Sequence, residues 1–402
     1  MAVRVRAVRD LEEFSAALGA IGHYFGWVPT EEFLERWVKM LPHERMHAAF
    51  EDGQIVGGAG AFPFELSVPG GSLPCAGVTA VGVHPTHRRR GVLRSMMDSQ
   101  LRDVHERGEP IAALWASEET IYGRFGYGIA SWAGELTVPH EWDAFAEPPA
   151  PLGTIRFVTP EESRELFPPI YDAVRRERPG MMSRNGVWWE DRHLRQEERE
   201  SDAPRRFVVL ELDGEPLAYA IYRTHFSFDG GSASSRLVVR EALGATPQAT
   251  AAIWRFLLDV DWMGSVEVYL APPDHPLFLL LATPRRMRYR MGDGLWVRVV
   301  DVPTALSGRA YGEGGPLVFE VRDAVCEWND GRWKLEGGAC ERTDDESDLA
   351  LDVSALGSAY LGAVSFKQLH EAGRIERAAT GAIERADALF AWRPVPWCLE
   401  IF

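Results

Sequence analysis

Four basic side chains and a glycine stand in a row at His87-Arg88-Arg89-Arg90-Gly91. They follow an apolar stretch, Val78 to Val83, and precede Val92, Leu93, Met96, Met97, Leu101 and Val104 at helical spacing. Cations are unfavourable beside a helix N-terminus, where first-turn N–H groups lack partners and the macrodipole favours negative charge. Four in a row there make sense with an anion present. The stretch 77–127 is therefore expected to be a strand, loop, helix and strand that holds the pyrophosphate of a nucleotide-like cofactor. Its second strand, Ile111 to Trp115, leads into Ser117-Glu118-Glu119-Thr120-Ile121-Tyr122-Gly123-Arg124-Phe125-Gly126-Tyr127-Gly128. Two tyrosines at a strand's C-terminal end, beside a cofactor loop, are candidate proton donors. A phenol, ordinarily near pKa ~10, suits the protonation of a departing thiolate. At least one of the two is expected to be a packing aromatic with a bonded hydroxyl.

Other chemical signals are weaker. His43-Glu44-Arg45-Met46-His47 matches the H-E-x-x-H pattern of zinc proteases, which needs a helix. Pro42 precedes it and a strand pattern follows. In extended chain the imidazoles lie roughly 13 Å apart, too far to share a metal. Gly57-Gly58-Ala59-Gly60 has no helix after it and reads as a place where a strand packs closely or bulges. Cys75, Cys326, Cys340 and Cys398 show neither metal nor disulfide spacing, which suits a reducing cytoplasm, and no metal is expected. A net charge of −16 argues against nucleic acid and is compatible with a cationic substrate. The N-terminus lacks a signal-peptide pattern and no run approaches a membrane span, so no membrane partner is expected.

The elements that must position these residues repeat. Residues 3–7 alternate as an edge strand; Asp10 caps a first helix, and a second runs from about Thr30 to Met40. A hairpin follows, turning at Asp52-Gly53. After the basic loop and its flanking strands, Ala133 to Val138 reads as a strand and 146–153 as a linker. Then come a helix at 160–177, a hairpin turning at Asp213-Gly214, a strand at Arg236 to Val239, a helix from Thr246 to Val260 and a strand at Ser265 to Leu270. This is the same order twice, with Gly244-Ala245-Thr246-Pro247-Gln248 in place of the basic loop. The last stretch, from about 293, differs in kind. It has strands expected near 295–300, 317–322 and 325–335 and helices near 354–361, 366–372 and 379–390. The division is 1–150, 151–290 and 291–402, of α/β (α+β) class. The chain closes on an aromatic, apolar segment ending Glu400-Ile401-Phe402. Such an end either buries its α-carboxylate, at a cost unless the group is paired or used, or lies on a groove with that group in water.

On these residues the chain resembles a known family. Arg88-Arg89-Arg90-Gly91-Val92 is similar to the acetyl-CoA motif Q/R-x-x-G-x-G/A of GCN5-related N-acetyltransferases, with Leu93 departing from the final small residue. The longer string from Val81 to Arg94, with Ala116-Ser117-Glu118 and Ile121 to Gly128, resembles the enhanced intracellular survival (Eis) acetyltransferases. The resemblance covers essentially the whole chain. It implies tandem acetyltransferase folds, the second degenerate, followed by a sterol-carrier-protein-like α+β domain, assembled as a homohexamer. It implies acetyl-CoA as co-substrate, held by Val81, Gly82 and Val83 through backbone, by Arg88, Arg89, Arg90, Gly91, Val92, Leu93 and Arg94 at the diphosphate, and by Ser117 and Glu118. It implies Tyr122 as proton donor and the terminal carboxylate of Phe402 as proton acceptor, with Glu400 and Trp37 as substrate contacts. The implied reaction is acetyl transfer to primary amines of a cationic small molecule, aminoglycosides included. Transfer to protein or peptide lysines is an alternative, as is lipid or acyl-CoA carriage by a vestigial transferase.

Overall fold

Local side-chain caps fix the first two helices. Asp10 accepts the Glu13 amide at the head of α1 (Leu11–Phe25), and Thr30 accepts the Phe33 amide at the head of α2 (Glu31–Met40). Each such cap contributes ~1 kcal/mol. Strands β2 (Met46–Glu51) and β3 (Gln54–Val68) then form a hairpin whose turn residues, Asp52 and Gly53, sit at φ 50° and 79°. Two successive left-handed residues make the turn whose twist matches its strands. β4 (Gly71–Val83), α3 (Val92–Glu106), β5 (Ile111–Leu114), α4 (Glu119–Tyr122) and β6 (Gly128–Ile129) follow, with β1 (Arg4–Ala7) on the sheet edge. The computed structural model describes residues 3–196, 203–229 and 232–402.

The second copy forms its own unit. β7 (Trp132–Pro139) and β8 (Thr154–Phe157) precede α5 (Pro160–Glu177), which starts in a Thr159–Glu162 capping box. After the single turn α6 (Gly186–Trp188) come β9 (Arg206–Leu212) and β10 (Glu215–His225), joined through Asp213 and Gly214 at φ 53° and 87°. A small pair, β11 (Phe228–Asp229) and β12 (Ser232–Ala233), leads to β13 (Ser235–Gly244), α7 (Pro247–Leu258), β14 (Met263–Ala271), the short α8 (Leu277–Leu280) and β15 (Arg288–Asp293). The sheet order is β15-β7-β14-β13-β10-β9-β8.

The strand memberships depart from a division at 150 and 290. The strand expected to close the first domain, β7, pairs with β14 and β15 in the second sheet. The strand expected to open the last domain, β16 (Trp296–Val299), lies between β5 and β6 in the first sheet, whose order is β1-β2-β3-β4-β5-β16-β6. Every residue of β5 and of β16 is buried, and such strands belong inside a sheet covered on both faces.

The same unit holds the C-terminal segment. There α9 (Val302–Ser307) precedes a sheet of order β19-β18-β17-β20-β21, built from β17 (Leu317–Arg322), β18 (Gly331–Glu336), β19 (Ala339–Arg342), β20 (Leu349–Asp352) and β21 (Ile375–Ala378). Helices α10 (Val353–Ala359), α11 (Phe366–Glu371) and α12 (Ala382–Phe390) accompany it. The strand expected over 325–335 begins only at Gly331, because Glu327–Asn329 forms a 3-10 turn. That turn frees the Asn329 amide to accept from the Val302 N–H (2.9 Å) and donate to the Val300 carbonyl (2.9 Å). Among the described residues no helix is long and apolar enough to cross a membrane.

Candidate active site

The site is built where β4 loses a neighbour. β3 and β4 pair in register as far as Gly60↔Thr79, and the next pair, Gly58↔Gly82, sets Ala80 and Val81 together against Ala59. This is a two-against-one bulge, and Ala80 within it sits at φ 51°. On the other side β4 pairs in parallel with β5 over only Cys75↔Ile111, Ala76↔Ala112 and Gly77↔Ala113. β16 pairs along the whole of the other side of β5, and Leu114 has only that partner, Trp296. The half of β4 from Val78 to Val83 therefore faces a wedge-shaped opening, with no strand of the described residues paired along it. An open strand edge presents a row of N–H and C=O groups, suited to an extended amide-bearing arm. One of these is already engaged, since the Tyr24 hydroxyl donates to the Val83 carbonyl (2.8 Å). The sequence reading missed this contact, and no local pattern marks it.

The basic loop lies at the wide end of the opening. Arg89 and Gly91 take left-handed backbone, at φ 60° and 82°, which brings the chain sharply into α3. Among the described residues no side chain caps that helix, in contrast to α1 and α2. Arg88, Arg89, Arg90 and Arg94 are exposed, Leu93 is half-buried, and Val92 is buried with Val56 and Met96. Arg90 is held from below by Glu51 (2.7 Å), whose other oxygen meets His87 Nε2 at 3.2 Å. Uncapped first-turn amides and three adjacent guanidinium groups fit a diphosphate, by hydrogen bonding and by charge.

The two tyrosines, left open by the sequence, separate in the structure. Tyr122 ends α4, is 7 % exposed, and has its phenol pushed up to about 12, mainly by burial and further by the charge of Glu118. Tyr127 is 1 % exposed, its ring 6.0 Å from that of Tyr122, and its phenol is pushed higher still by burial. Its hydroxyl has no hydrogen-bond partner among the described residues, so Tyr127 is a packing aromatic without the bonded hydroxyl expected of at least one of the two. Of the two, Tyr122 is the less deeply buried, and it is protonated throughout the neutral range. Ser117 and Glu118 are exposed in the turn before α4.

The chain end meets β4 from the other side. Tyr122 belongs to the apolar cluster of Ala76 and Val78, whereas a Cβ on Gly77 would stand 3.3 Å from the Phe402 ring. By strand alternation, these two groups approach β4 from opposite faces where β5 departs. The Trp115 indole donates to the Glu400 carbonyl, and the Glu400 side chain is 1 % exposed. Phe402 also ends a series of aromatic rings. Successive centroids lie 5.5 Å apart for Trp27 and Phe33, 5.1 Å for Phe33 and Trp37, 5.6 Å for Trp37 and Phe62, 5.8 Å for Phe62 and Phe64, and 5.2 Å for Phe64 and Phe402. Sequence reading singled out Trp37 and Phe402 but not the rings between; only the Phe33–Trp37 spacing was a usable sign. His43 lies in a 3-10 turn and His47 in β2, so the H-E-x-x-H string forms no helix.

This geometry agrees with three family models: an acetyltransferase (GNAT) domain over residues 4–130, a second over 180–299 and a sterol carrier protein domain over 302–399. The chain is 38 % identical over 405 residues to an N-acetyltransferase of Streptomyces avermitilis, covering 99 % of each. It is 37 % identical over 352 residues to the N-acetyltransferase Eis of Mycobacterium tuberculosis, covering 84 % of this chain and 83 % of that one. The chain belongs to the Eis family of N-acetyltransferases. Eis1 from Mycobacterium abscessus superposes with a TM-score of 0.89 at 31 % identity, over 99 % of this chain and 100 % of that one. Acetyltransferases of this fold use acetyl-CoA.

Proposed function

We propose that the protein transfers the acetyl group of acetyl-CoA to primary amines of a cationic small molecule, and that aminoglycosides, acetylated at several positions, belong to its substrates. One observation supports this reading: β4 parts from β5 after Gly77 and runs to an uncapped, arginine-flanked helix, with Tyr122 in the cluster of Ala76 and Val78 on one face and the Phe402 ring against Gly77 on the other. Val81, Gly82 and Val83 bond the pantetheine arm through backbone. Arg88 to Arg94 hold the diphosphate, and Ser117 and Glu118 line the cofactor.

The terminal carboxylate of Phe402 takes a proton from the substrate ammonium, directly or through water. An α-carboxyl begins near pKa ~3.5, so burial under the substrate must raise it for this role. The freed amine forms a bond to the thioester carbon, the carbon–sulfur bond breaks, Tyr122 gives its proton to the thiolate, and the nitrogen's second proton returns through water to the tyrosinate, leaving the neutral amide. Trp27, Phe33 and Trp37, partly exposed rings of the aromatic series, offer faces to an ammonium group, each worth ~0.5–2 kcal/mol. Trp37 lies within that series; Glu400 supplies negative charge near its end, and Glu31, Glu32 and Glu35 are exposed on α2. The four free, buried cysteines support a reducing cytoplasm. A homohexamer is proposed from family resemblance, to be measured by light scattering.

The test is release of free CoA thiol with kanamycin-like amines, spermidine and lysine peptides. Turnover on lysine peptides alone would move the substrate to protein lysines. Failure of acetyl-CoA to bind by calorimetry would leave a carrier with a vestigial transferase. Full turnover by a protein extended beyond Phe402 would exclude the terminal carboxylate as base.

A further inference from the structure

We propose that Arg298 and Asp323 form a positioning pair through which the sterol-carrier-like domain holds the Tyr122 segment in place for acid catalysis. The inference rests on Tyr122 being the proton donor.

Arg298 lies in β16 with its side chain 0 % exposed, and Asp323, just after β17, is 1 % exposed. The guanidinium meets both carboxylate oxygens, at 2.8 and 2.6 Å. Its Nε donates to the Phe125 carbonyl (2.8 Å), three residues beyond Tyr122. One rigid fork therefore joins the C-terminal domain to the turn that carries the acid.

Asp323 is itself fixed. Its oxygens accept from the amides of Val325 (3.1 Å) and Cys326 (2.9 Å) and from the Asn329 side chain (3.0 Å). The turn has matching constraints. The Tyr127 amide donates to the Tyr122 carbonyl (3.3 Å), and Gly126 sits at φ 82°. A Cβ on Gly126 would stand 2.6 Å from Arg298 Nε and 2.8 Å from Val353 of α10, so the backbone is pressed against the guanidinium. Gly128 is closer still to α10, where a Cβ would stand 2.0 Å from the Ser354 carbonyl. A fully buried ion pair is a costly way to gain stability alone, since apolar residues of similar volume often serve as well. Here it gives the Phe125 carbonyl a donor of fixed direction.

The experiment compares two thioesters in the full-length protein: acetyl-CoA, whose thiolate needs a proton, and an acetyl thioester of a nitro-substituted thiophenol, whose thiolate leaves without one. Tyr122→Phe serves as reference. The double variant Arg298→Met/Asp323→Leu removes the pair without leaving a buried charge. It is expected to lower kcat with acetyl-CoA about 10²-fold, the scale of a 1 Å misplacement, with little change in its KM. Turnover of the aryl thioester should be nearly unaffected, the same selectivity as in Tyr122→Phe. Equal losses on both thioesters, with Tyr122→Phe still selective, would overturn the pair's role alone. Absence of selectivity in Tyr122→Phe would overturn the acid assignment and the inference with it. Circular dichroism and melting verify the fold. If the double variant does not fold, Arg298→Lys makes the same comparison, because an ammonium can pair with Asp323 but cannot also present a fixed donor to Phe125.

Discussion

The two acetyltransferase copies share a backbone and differ in what fills it. Each has a hairpin turning through a left-handed Asp-Gly pair. Each has a one-residue slip on its middle strand, at Ala80–Val81 in β4 and at Arg240 in β13. In each, the parallel neighbour pairs along only part of that strand, over 75–77 in β4 and 235–239 in β13. In the second copy protein groups occupy the freed positions. Glu241, just past the slip, is buried and takes a two-pronged contact from Arg184 (2.9 and 2.6 Å) and the Tyr219 hydroxyl. The Trp397 indole donates to the Leu270 carbonyl of β14 (2.8 Å), and Trp397 and Leu399 join the cluster of Phe167 and Tyr171. Thr246 caps α7 through the Ala249 amide (3.1 Å), and Pro247 needs no amide partner at its first turn. A Cβ on Gly244 would stand 2.5 Å from the Thr250 amide, so strand and helix close on each other there. A duplicated fold thus keeps its opening for a ligand in one copy and fills it with its own side chains in the other.

This comparison breaks most sharply at one tyrosine from each copy, Tyr122 of α4 and Tyr219 of β10. Tyr122→Phe should lower kcat with acetyl-CoA about 10²–10⁴-fold, whereas Tyr219→Phe should leave turnover intact and cost ~1.5–3 kcal/mol by removing a hydrogen bond to a carboxylate oxygen that Arg184 still contacts; initial rates and thermal melts read the two effects. The loops come next. Replacing Arg88, Arg89 and Arg90 together by alanine should raise the KM for acetyl-CoA about 10²-fold, since the three exposed guanidinium groups each contribute up to ~1 kcal/mol. Arginines placed at Ala245 and Gln248 should confer no acetyl-CoA binding in calorimetry, since Thr246 already takes the amide. Smaller still, Thr246→Ala should cost ~1 kcal/mol of stability, and Gly91→Ala ~1–2 kcal/mol from its left-handed backbone, with only the second altering the KM for acetyl-CoA.

The smallest effects distinguish the copies by pH. Tyr122, raised from 10.0 to about 12, is more readily protonated folded than unfolded, so its contribution is present below pH 10 and lost as pH rises toward 12. Activity should accordingly show no alkaline loss from Tyr122 below pH 10. His275 in the second copy is lowered from 6.5 to about 3, mainly by burial and then by Arg178, so its contribution is present above pH 6.5 and lost as pH falls toward 3. Melting curves across pH 4–11 follow both.

Much of this was legible in the chain because the signals were local. The basic loop, the helix behind it, the Asp52-Gly53 and Asp213-Gly214 turns and the repeated element order all rest on neighbouring residues. What failed was non-local or strained. Nothing in Ala80 announces a left-handed residue, since glycine is the usual mark of one. The apolar runs Ala133 to Val138 and Trp296 to Val299 read correctly as strands, but periodicity does not say which sheet a strand joins. The aromatic series draws on residues 27, 33, 37, 62, 64 and 402, whose adjacency exists only after folding. Likewise Tyr122 and Tyr127 look alike in sequence, and only their depth separates them.

The place of β16 sets a schedule for synthesis. Residues 1–131 can emerge and collapse, but β5 lacks its partner on one side and β6 has none until Trp296–Val299 arrives. At roughly 5–20 residues per second, the intervening second copy takes roughly 10–30 s to make. During that interval the nascent first sheet carries an open, wholly apolar edge of the kind that recruits other strands. The first sheet, though begun in the first third of the chain, is therefore completed by a segment translated well after it, and a fragment ending at residue 131 should aggregate rather than fold.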